Sequence, residues 1–207
     1  MELLPETRRE IDALAARFGQ PLVVDSPIPD HFDDPIRKPD RYGEVCMVVR
    51  RPNGTLLLSI KTFYPRGAYR LPTGGIHRGE AILGALLRET NEETGLQTEV
   101  RRFLARIAYH SADAPTGAPL FHTFAFLLDE TGGTLGALDT SEQIEDWREV
   151  AVAELPRVAD FLDDLRTAGS LDIGGDWRAW GKFRAVVHRV VADALATRVG
   201  QSSRNSR

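Results

Sequence analysis

The segment 74–95 constrains this chain more strongly than the rest of its sequence, because it places two glycines shortly before the clearest helical pattern. Residues 80–94 carry apolar side chains at helical spacing, and Gly95 then supplies the residue type that ends many helices. We therefore predict a helix over 80–94. Its leucines fall on one arc, which should face a core, and three carboxylates share a second arc of about 100°. These carboxylates are Glu89, Glu92 and Glu93.

This arrangement of carboxylates favours a cation site. Like charges three and four residues apart on a helix repel by about a few tenths of a kcal/mol per pair. A divalent cation removes that penalty, and carboxylates supply the hard oxygen ligands that Mg²⁺ and Mn²⁺ prefer. The alternative is a solvated acidic face, which would explain residues 92–95 taken alone. The full spacing fixes seven residue identities, with a chance match on the order of 10⁻⁹ per window at ordinary residue frequencies, so it favours a site.

The spacing Gly-x5-Glu-x7-Arg-Glu-x2-Glu-Glu-x-Gly, extending from Gly74 to Leu96, resembles the signature of the Nudix hydrolase family. Residues 69–72, Tyr-Arg-Leu-Pro, are similar to the lead-in of that signature. Thr90 stands where the family has a bulky aliphatic residue, but its methyl can pack while its hydroxyl bonds to the helix backbone. The resemblance implies an α/β/α sandwich with a mixed sheet, of the α/β (α+β) class. The irregular alternation of predicted strands and helices agrees with a mixed sheet between helices.

The resemblance also implies a function and the residues that perform it. The resemblance implies that the protein is a metal-dependent hydrolase, which cleaves a phosphoanhydride bond in a nucleoside diphosphate linked to another moiety. Glu92 and Glu93 would bind Mg²⁺ or Mn²⁺, with Glu89 as a further ligand or as the general base. The backbone carbonyl of Gly74, from the loop before the helix, would be another ligand, and Arg88 would hold a carboxylate in place. A catalytically silent domain that senses a nucleotide is the alternative function.

Candidates outside the signature depend on weaker patterns. In an acidic loop late in the domain, where relatives often supply a further ligand or base, we select Glu142 as catalytic over Asp139 and Glu145, although a solvated loop is the alternative. Three arginines are candidates for binding substrate phosphates, with a solvated surface as the equal alternative: Arg50, Arg66 and Arg70. The resemblance implies a structural or outer-sphere role for Glu80. Three histidines could contact phosphate or base, but a structural role is the favoured alternative, since they lack metal-ligand spacing with one another: His77, His110 and His122.

The chain is expected to divide into three parts. We predict an N-terminal extension over residues 1–40, the Nudix-like domain with a C-terminal helix over 41–199, and a disordered tail over 200–207. The expected helices and strands follow from apolar periodicity and turn residues. Helices are predicted over 5–18, 154–167 and 177–198, strands over 21–24, 44–50, 55–62, 98–109 and 120–128, and loops over 25–42 and 129–146.

Composition excludes several classes of protein. A net charge of −4 argues against binding to duplex nucleic acid. The single Cys46 excludes a disulfide scaffold and multi-cysteine zinc sites, and its apolar neighbours predict that it is buried. The sequence has neither an apolar run of about 18 residues nor a signal core after Met1, so we expect a cytoplasmic protein that does not enter a membrane.

The two terminal helices carry apolar stripes that the family signature does not explain. One stripe includes Ile11 and Leu14, and the other extends from Trp177 to Ala194. These stripes predict a homodimer, because aromatic-rich apolar patches are common at subunit contacts. The alternative is that both helices pack on their own domain.

Overall fold

The computed structural model describes residues 3–29, 40–166 and 176–197. Within these ranges the helices are α1 (Pro5–Phe18), α2 (Ile82–Thr94), α3 (Leu155–Asp163) and α4 (Trp177–Ala196). The strands are β1 (Leu22–Pro27), β2 (Arg41–Arg50), β3 (Leu56–Lys61), β4 (Thr73–His77), β5 (Leu96–His110), β6 (Phe121–Gly133) and β7 (Ile144–Val150). Short 3₁₀ turns occupy Thr140–Glu142 and Val152–Glu154.

The strands form one mixed sheet in the order β1-β5-β6-β2-β3-β7, and β4 pairs with β2. The β1–β5 and β2–β6 pairs are parallel, whereas β2–β3, β2–β4, β3–β7 and β5–β6 are antiparallel. The first half of β2 pairs with β4, where Val45 lies opposite Gly74. The far end of β2 pairs with β3 through Arg50 and Leu56. This pairing places β4 and the start of β2 beneath α2.

Helices cover both faces of the sheet, so the predicted α/β/α sandwich is confirmed. Side chains along β2 alternate between two cores, as strand geometry requires. Val45 and Met47 face the core that α1 and α2 close, whereas Cys46 and Val48 face the core that α3 and α4 close. Cys46 is fully buried, as predicted.

Several boundaries differ from the sequence predictions. The segment with Gly74 is not a loop, since Thr73–His77 form strand β4. The predicted loop over 129–146 is wrong at both ends, because β6 continues to Gly133 and β7 begins at Ile144. β7 is an edge strand that pairs with β3, and its charged, exposed face hid it in the sequence, as is common at sheet edges. The predicted tail 200–207 and most of the predicted loop 25–42 lie outside the described residues.

The extension and the C-terminal helix are integral parts of the sandwich. β1 adds a parallel edge strand beside β5. Ile11 and Leu14 of α1 are buried in one core, and Trp180 and Val191 of α4 are buried in the other. The apolar stripes that suggested a homodimer are therefore covered by the chain itself, and that argument for a dimer does not hold.

Among the described residues, no helix is long and apolar enough to cross a membrane.

Candidate functional site

The carboxylates of α2 differ in their exposure to solvent. Glu93 is 1% exposed and Glu89 is 7% exposed, whereas the side chain of Glu92 is 37% exposed. The helix ends at Gly95, which adopts the left-handed conformation (φ 65°) and donates its N–H to the Asn91 carbonyl. Glu89 and Glu93 are thus turned toward the sheet, and Glu92 lies at the rim of the site.

A third carboxylate, which is half-buried, comes from a different part of the chain. Carboxylate oxygens of Glu89, Glu93 and Glu142 lie within 4.8 Å of one another. Glu142 ends the 3₁₀ turn, and the next residue, Gln143, has a left-handed backbone (φ 54°). The Gln143 carbonyl accepts a hydrogen bond from the Thr62 N–H at 2.9 Å. Backbone bonds to α2 fix the preceding loop, including one from the Leu138 N–H to the Glu92 carbonyl at 2.9 Å.

Glu93 lacks the partners that a buried carboxylate needs. No N–H or O–H group among the described residues donates a hydrogen bond to either of its oxygens. Lys61 Nζ lies 3.7 Å from Glu93 Oε1, beyond hydrogen-bond distance. Burial raises the pKa of Glu93 to about 7, while the positive charges of Arg70 and Lys61 act in the opposite direction. A buried carboxylate without hydrogen bonds is costly, so this oxygen pair is suited to a cation.

The other two cluster carboxylates have partners that stabilise their charge. Burial raises the pKa of Glu89, and its hydrogen bond from Arg88 only partly offsets that effect. Burial is the largest effect on Glu142 and acts in the same direction, but the hydrogen bond from Lys61, at 2.7 Å, and the positive charge of Lys61 both act against it, and the pKa of Glu142 is lowered. The cluster therefore combines one carboxylate without a hydrogen bond with two that are already oriented.

Arg88 ties the carboxylates of this region together. Its guanidinium binds both oxygens of Glu80 at 2.8 Å, Glu89 at 2.9 Å and Glu92 at 3.0 Å. It also donates to the Gly75 carbonyl at 3.1 Å. Glu80 accepts the His77 N–H as well, so it links the turn before α2 to Arg88. The arginine thus fixes the carboxylate rim against strand β4.

Gly74 lies directly against the site. A Cβ atom built on Gly74 would lie 2.1 Å from Glu89 Cδ, closer than real atoms approach. Only glycine leaves room there for the Glu89 carboxylate, which explains the first residue of the sequence signature.

Comparison with known proteins decides the family. The family model for the NUDIX domain matches residues 41–168. The chain belongs to the Nudix family.

Two curated Nudix proteins share part of this sequence. The chain is 34% identical over 99 residues to an ADP-ribose pyrophosphatase of Methanocaldococcus jannaschii, covering 47% of this chain and 56% of that protein. It is 34% identical over 80 residues to Nudix hydrolase 2 of Arabidopsis thaliana, covering 38% of this chain and 29% of that protein. The matches thus span little more than half, or less, of each relative's length.

A solved structure gives a weaker likeness. The crystal structure of an ADP-ribose pyrophosphatase from Streptococcus suis covers 73% of this chain and 90% of its own, with 18% identity and a TM-score of 0.44. The family assignment therefore depends on the sequence match, and it leaves α1, β1 and α4 outside the matched range.

The three candidate arginines occupy different environments in this Nudix chain. Arg50 lies at the end of β2 remote from Gly74, and its guanidinium binds Asp129 at 2.7 and 3.0 Å, so the structure does not bring it to the cluster. Arg70 is 2% exposed and donates to Tyr64 Oη and the Leu71 carbonyl. It balances the charge of buried Glu93 from within the protein, which does not support a role as a solvent-facing clamp. Arg66 is exposed.

The remaining candidates lie outside the cluster. Asp139 caps the 3₁₀ turn by accepting the Ser141 N–H, and Glu145 is exposed on β7. His110 lies 2.8 Å from both the Gly117 carbonyl and the Asp25 carboxylate, a structural arrangement. His122 is buried and His77 is exposed.

Sequence reasoning missed two residues next to the site. Lys61 could have been detected, because it is one of only three lysines among the 26 lysines and arginines and it lies next to the end of a predicted strand. His188 on α4 was not, because nothing in its local sequence indicates its partners. Its Nε2 accepts the Leu71 N–H at 2.9 Å, and its Nδ1 donates to the Arg184 carbonyl at 2.7 Å. α4 thereby contacts the segment that leads into β4.

Proposed function

We propose that this protein is a hydrolase that uses Mg²⁺ or Mn²⁺ to cleave a phosphoanhydride bond of a nucleoside diphosphate linked to another moiety. The observation that carries the proposal is the fully buried Glu93, whose two oxygens receive no hydrogen bond from the described residues and face two further carboxylates. All three side chains offer hard oxygen ligands, which fits Mg²⁺ or Mn²⁺ better than a softer metal.

Glu89, Glu93 and Glu142 would hold the cation, with Glu92 and the Gly74 carbonyl as further ligands at the rim. A bound divalent cation supplies neutralisation of the charge that develops on the phosphates. Arg88 keeps Glu89 and Glu92 in fixed orientations through charge-assisted hydrogen bonds. Glu89 and Glu142 are our candidates for the general base that orients water, since each lies in the cluster. Arg66 is our remaining candidate for a contact with the substrate phosphates.

ADP-ribose is the first substrate to test, because it is the substrate named for a relative 34% identical to this chain. Nucleotide sugars, dinucleotides and nucleoside triphosphates complete the panel. Each compound is incubated with the protein in Mg²⁺, in Mn²⁺ and in excess EDTA, and products are resolved by ³¹P NMR. Cleavage of ADP-ribose at the phosphoanhydride yields AMP and ribose 5-phosphate.

We expect cleavage of at least one compound with metal and none with EDTA. Glu93→Gln should abolish turnover, whereas Glu99→Gln, an exposed position on β5, should leave it unchanged. Binding of a nucleotide without turnover of any compound would instead support a silent sensor. Full turnover in EDTA would refute the metal-dependent mechanism.

The homodimer stays a prediction, which light scattering on the full chain decides.

A further inference from the structure

Lys61 places a positive charge beside the carboxylate cluster. It is the last residue of β3, and its side chain is only 15% exposed. Its Nζ lies 2.7 Å from Glu142 Oε2 and 3.7 Å from Glu93 Oε1, so one ammonium faces two of the three cluster carboxylates. No part of the family signature includes this residue.

We propose that Lys61 is a built-in counter-ion that holds Glu142 against the cluster until a divalent cation displaces it, so that it lowers the affinity of the resting site for metal. This inference rests on the proposed function, because it takes the cluster to be the metal site.

The first argument concerns the ion pair itself. A divalent cation that takes Glu142 as a ligand must share or break the bond between that carboxylate and Lys61. The backbone of Lys61 pairs with β7, so a displaced ammonium would remain within one side chain's length of the cation. Like charges a few ångströms apart in a poorly solvated site repel strongly. The resting protein therefore binds metal more weakly than its three carboxylates alone would.

The second argument concerns what holds Glu142 in place. The Thr62 N–H donates to the Gln143 carbonyl at 2.9 Å, and this backbone bond joins the two segments independently of the Lys61 side chain. Backbone bonds from the loop to the end of α2 add to it, such as that from the Gly136 N–H to the Thr94 carbonyl at 2.9 Å. Loss of the lysine charge therefore removes the repulsion between Lys61 and the cation and leaves Glu142 near the cluster. The affinity for metal should rise as a result.

The test measures Mn²⁺ binding to the full chain without substrate, from the electron paramagnetic resonance signal of free Mn²⁺. Lys61→Met should bind Mn²⁺ about tenfold more tightly than the unmodified protein, equivalent to about 1.4 kcal/mol. Lys61→Arg retains the charge and should stay within about threefold of the unmodified protein. Lys182→Met, at an exposed position on α4, removes the same charge far from the cluster and should have no effect.

A double variant separates this role from a structural one. In a Glu142→Gln background the ion pair with Lys61 is lost and only the repulsion between its ammonium and the cation remains, so Lys61→Met should raise Mn²⁺ affinity by less than the roughly tenfold increase expected with Glu142 present. Should Lys61→Met fail to fold, Lys61→Gln serves in the same measurements. Unchanged or weaker Mn²⁺ binding in the charge-removing variant, with normal binding by the unmodified protein, overturns this inference alone. Absence of Mn²⁺ binding by both proteins overturns the metal site as well.

Discussion

Replacement of Glu93 by glutamine should stabilise the metal-free protein while it destroys the proposed metal site. Glutamine keeps the shape of the protonated carboxyl group but never ionises. The pKa of Glu93 is raised from 4.5 to about 7 by burial, so the folded protein retains a proton that the unfolded chain has already released. The stabilising contribution of that proton is complete below pH 4.5 and is lost as the pH rises through about 7.

The size of the effect follows from the difference between the folded and unfolded pKa values. Each unit is worth about 1.4 kcal/mol, so ionised Glu93 lowers the free energy of unfolding by about 3 kcal/mol. In EDTA at pH 8, the free energy of unfolding of Glu93→Gln should therefore exceed that of the unmodified protein by about 3 kcal/mol. The difference should shrink as the pH falls toward 4.5. The melting temperature of the variant at pH 8 should rise by about 6–12 °C for a chain of this size.

Urea denaturation at several pH values, with and without Mn²⁺, measures both parts of this prediction. Mn²⁺ at about 100 times its dissociation constant should stabilise the unmodified protein by about 2.7 kcal/mol and should leave Glu93→Gln unaffected. Glu92→Gln is the matched control: that side chain is 37% exposed and bound to Arg88, so its replacement should bring no comparable gain in stability in EDTA. Parallel pH profiles for Glu93→Gln and the unmodified protein in EDTA would refute the reasoning.

Two further changes probe the surroundings of the site. Burial lowers the pKa of His188 to about 4, so the unfolded chain gains a proton below pH 6.5 that the folded protein excludes. The free energy of unfolding should therefore fall by about 3 kcal/mol from pH 6.5 to pH 4, and His188→Gln should reduce this fall in urea denaturation. An equal fall in both proteins would contradict the burial of a neutral His188. Gly74→Ala should displace Glu89 and abolish stabilisation by Mn²⁺ in thermal melts. Gly84→Ala is the control, since its new Cβ would lie 3.9 Å from Ala81 Cβ. It should raise the free energy of unfolding by about 1 kcal/mol and retain the stabilisation by Mn²⁺.

The sequence predicted those parts of the site that depend on local spacing. The helix with its glutamates was placed within two residues of its observed start, because apolar periodicity and Gly95 define it without reference to the rest of the fold. The sequence signature also includes Glu80 and Arg88, but it did not predict the two hydrogen bonds that join them.

The parts that the sequence did not predict depend on contacts between distant segments. Glu142 could be named as a candidate but not placed, since backbone bonds between its loop, α2 and Thr62 bring it to the cluster. The burial of Arg70 follows from packing beneath Tyr64, which no local pattern encodes. Strand β7 was missed because an edge strand with charged side chains resembles a polar loop.

Anomalous scattering from a crystal soaked in Mn²⁺ tests the central claim most directly, because it locates the metal without any assumption about substrate. The account predicts an anomalous peak about 2.0–2.3 Å from carboxylate oxygens of Glu89, Glu93 and Glu142, and the loss of that peak in Glu93→Gln. A crystal in which Mn²⁺ binds elsewhere, with Glu93 still buried and without a metal contact, would contradict it.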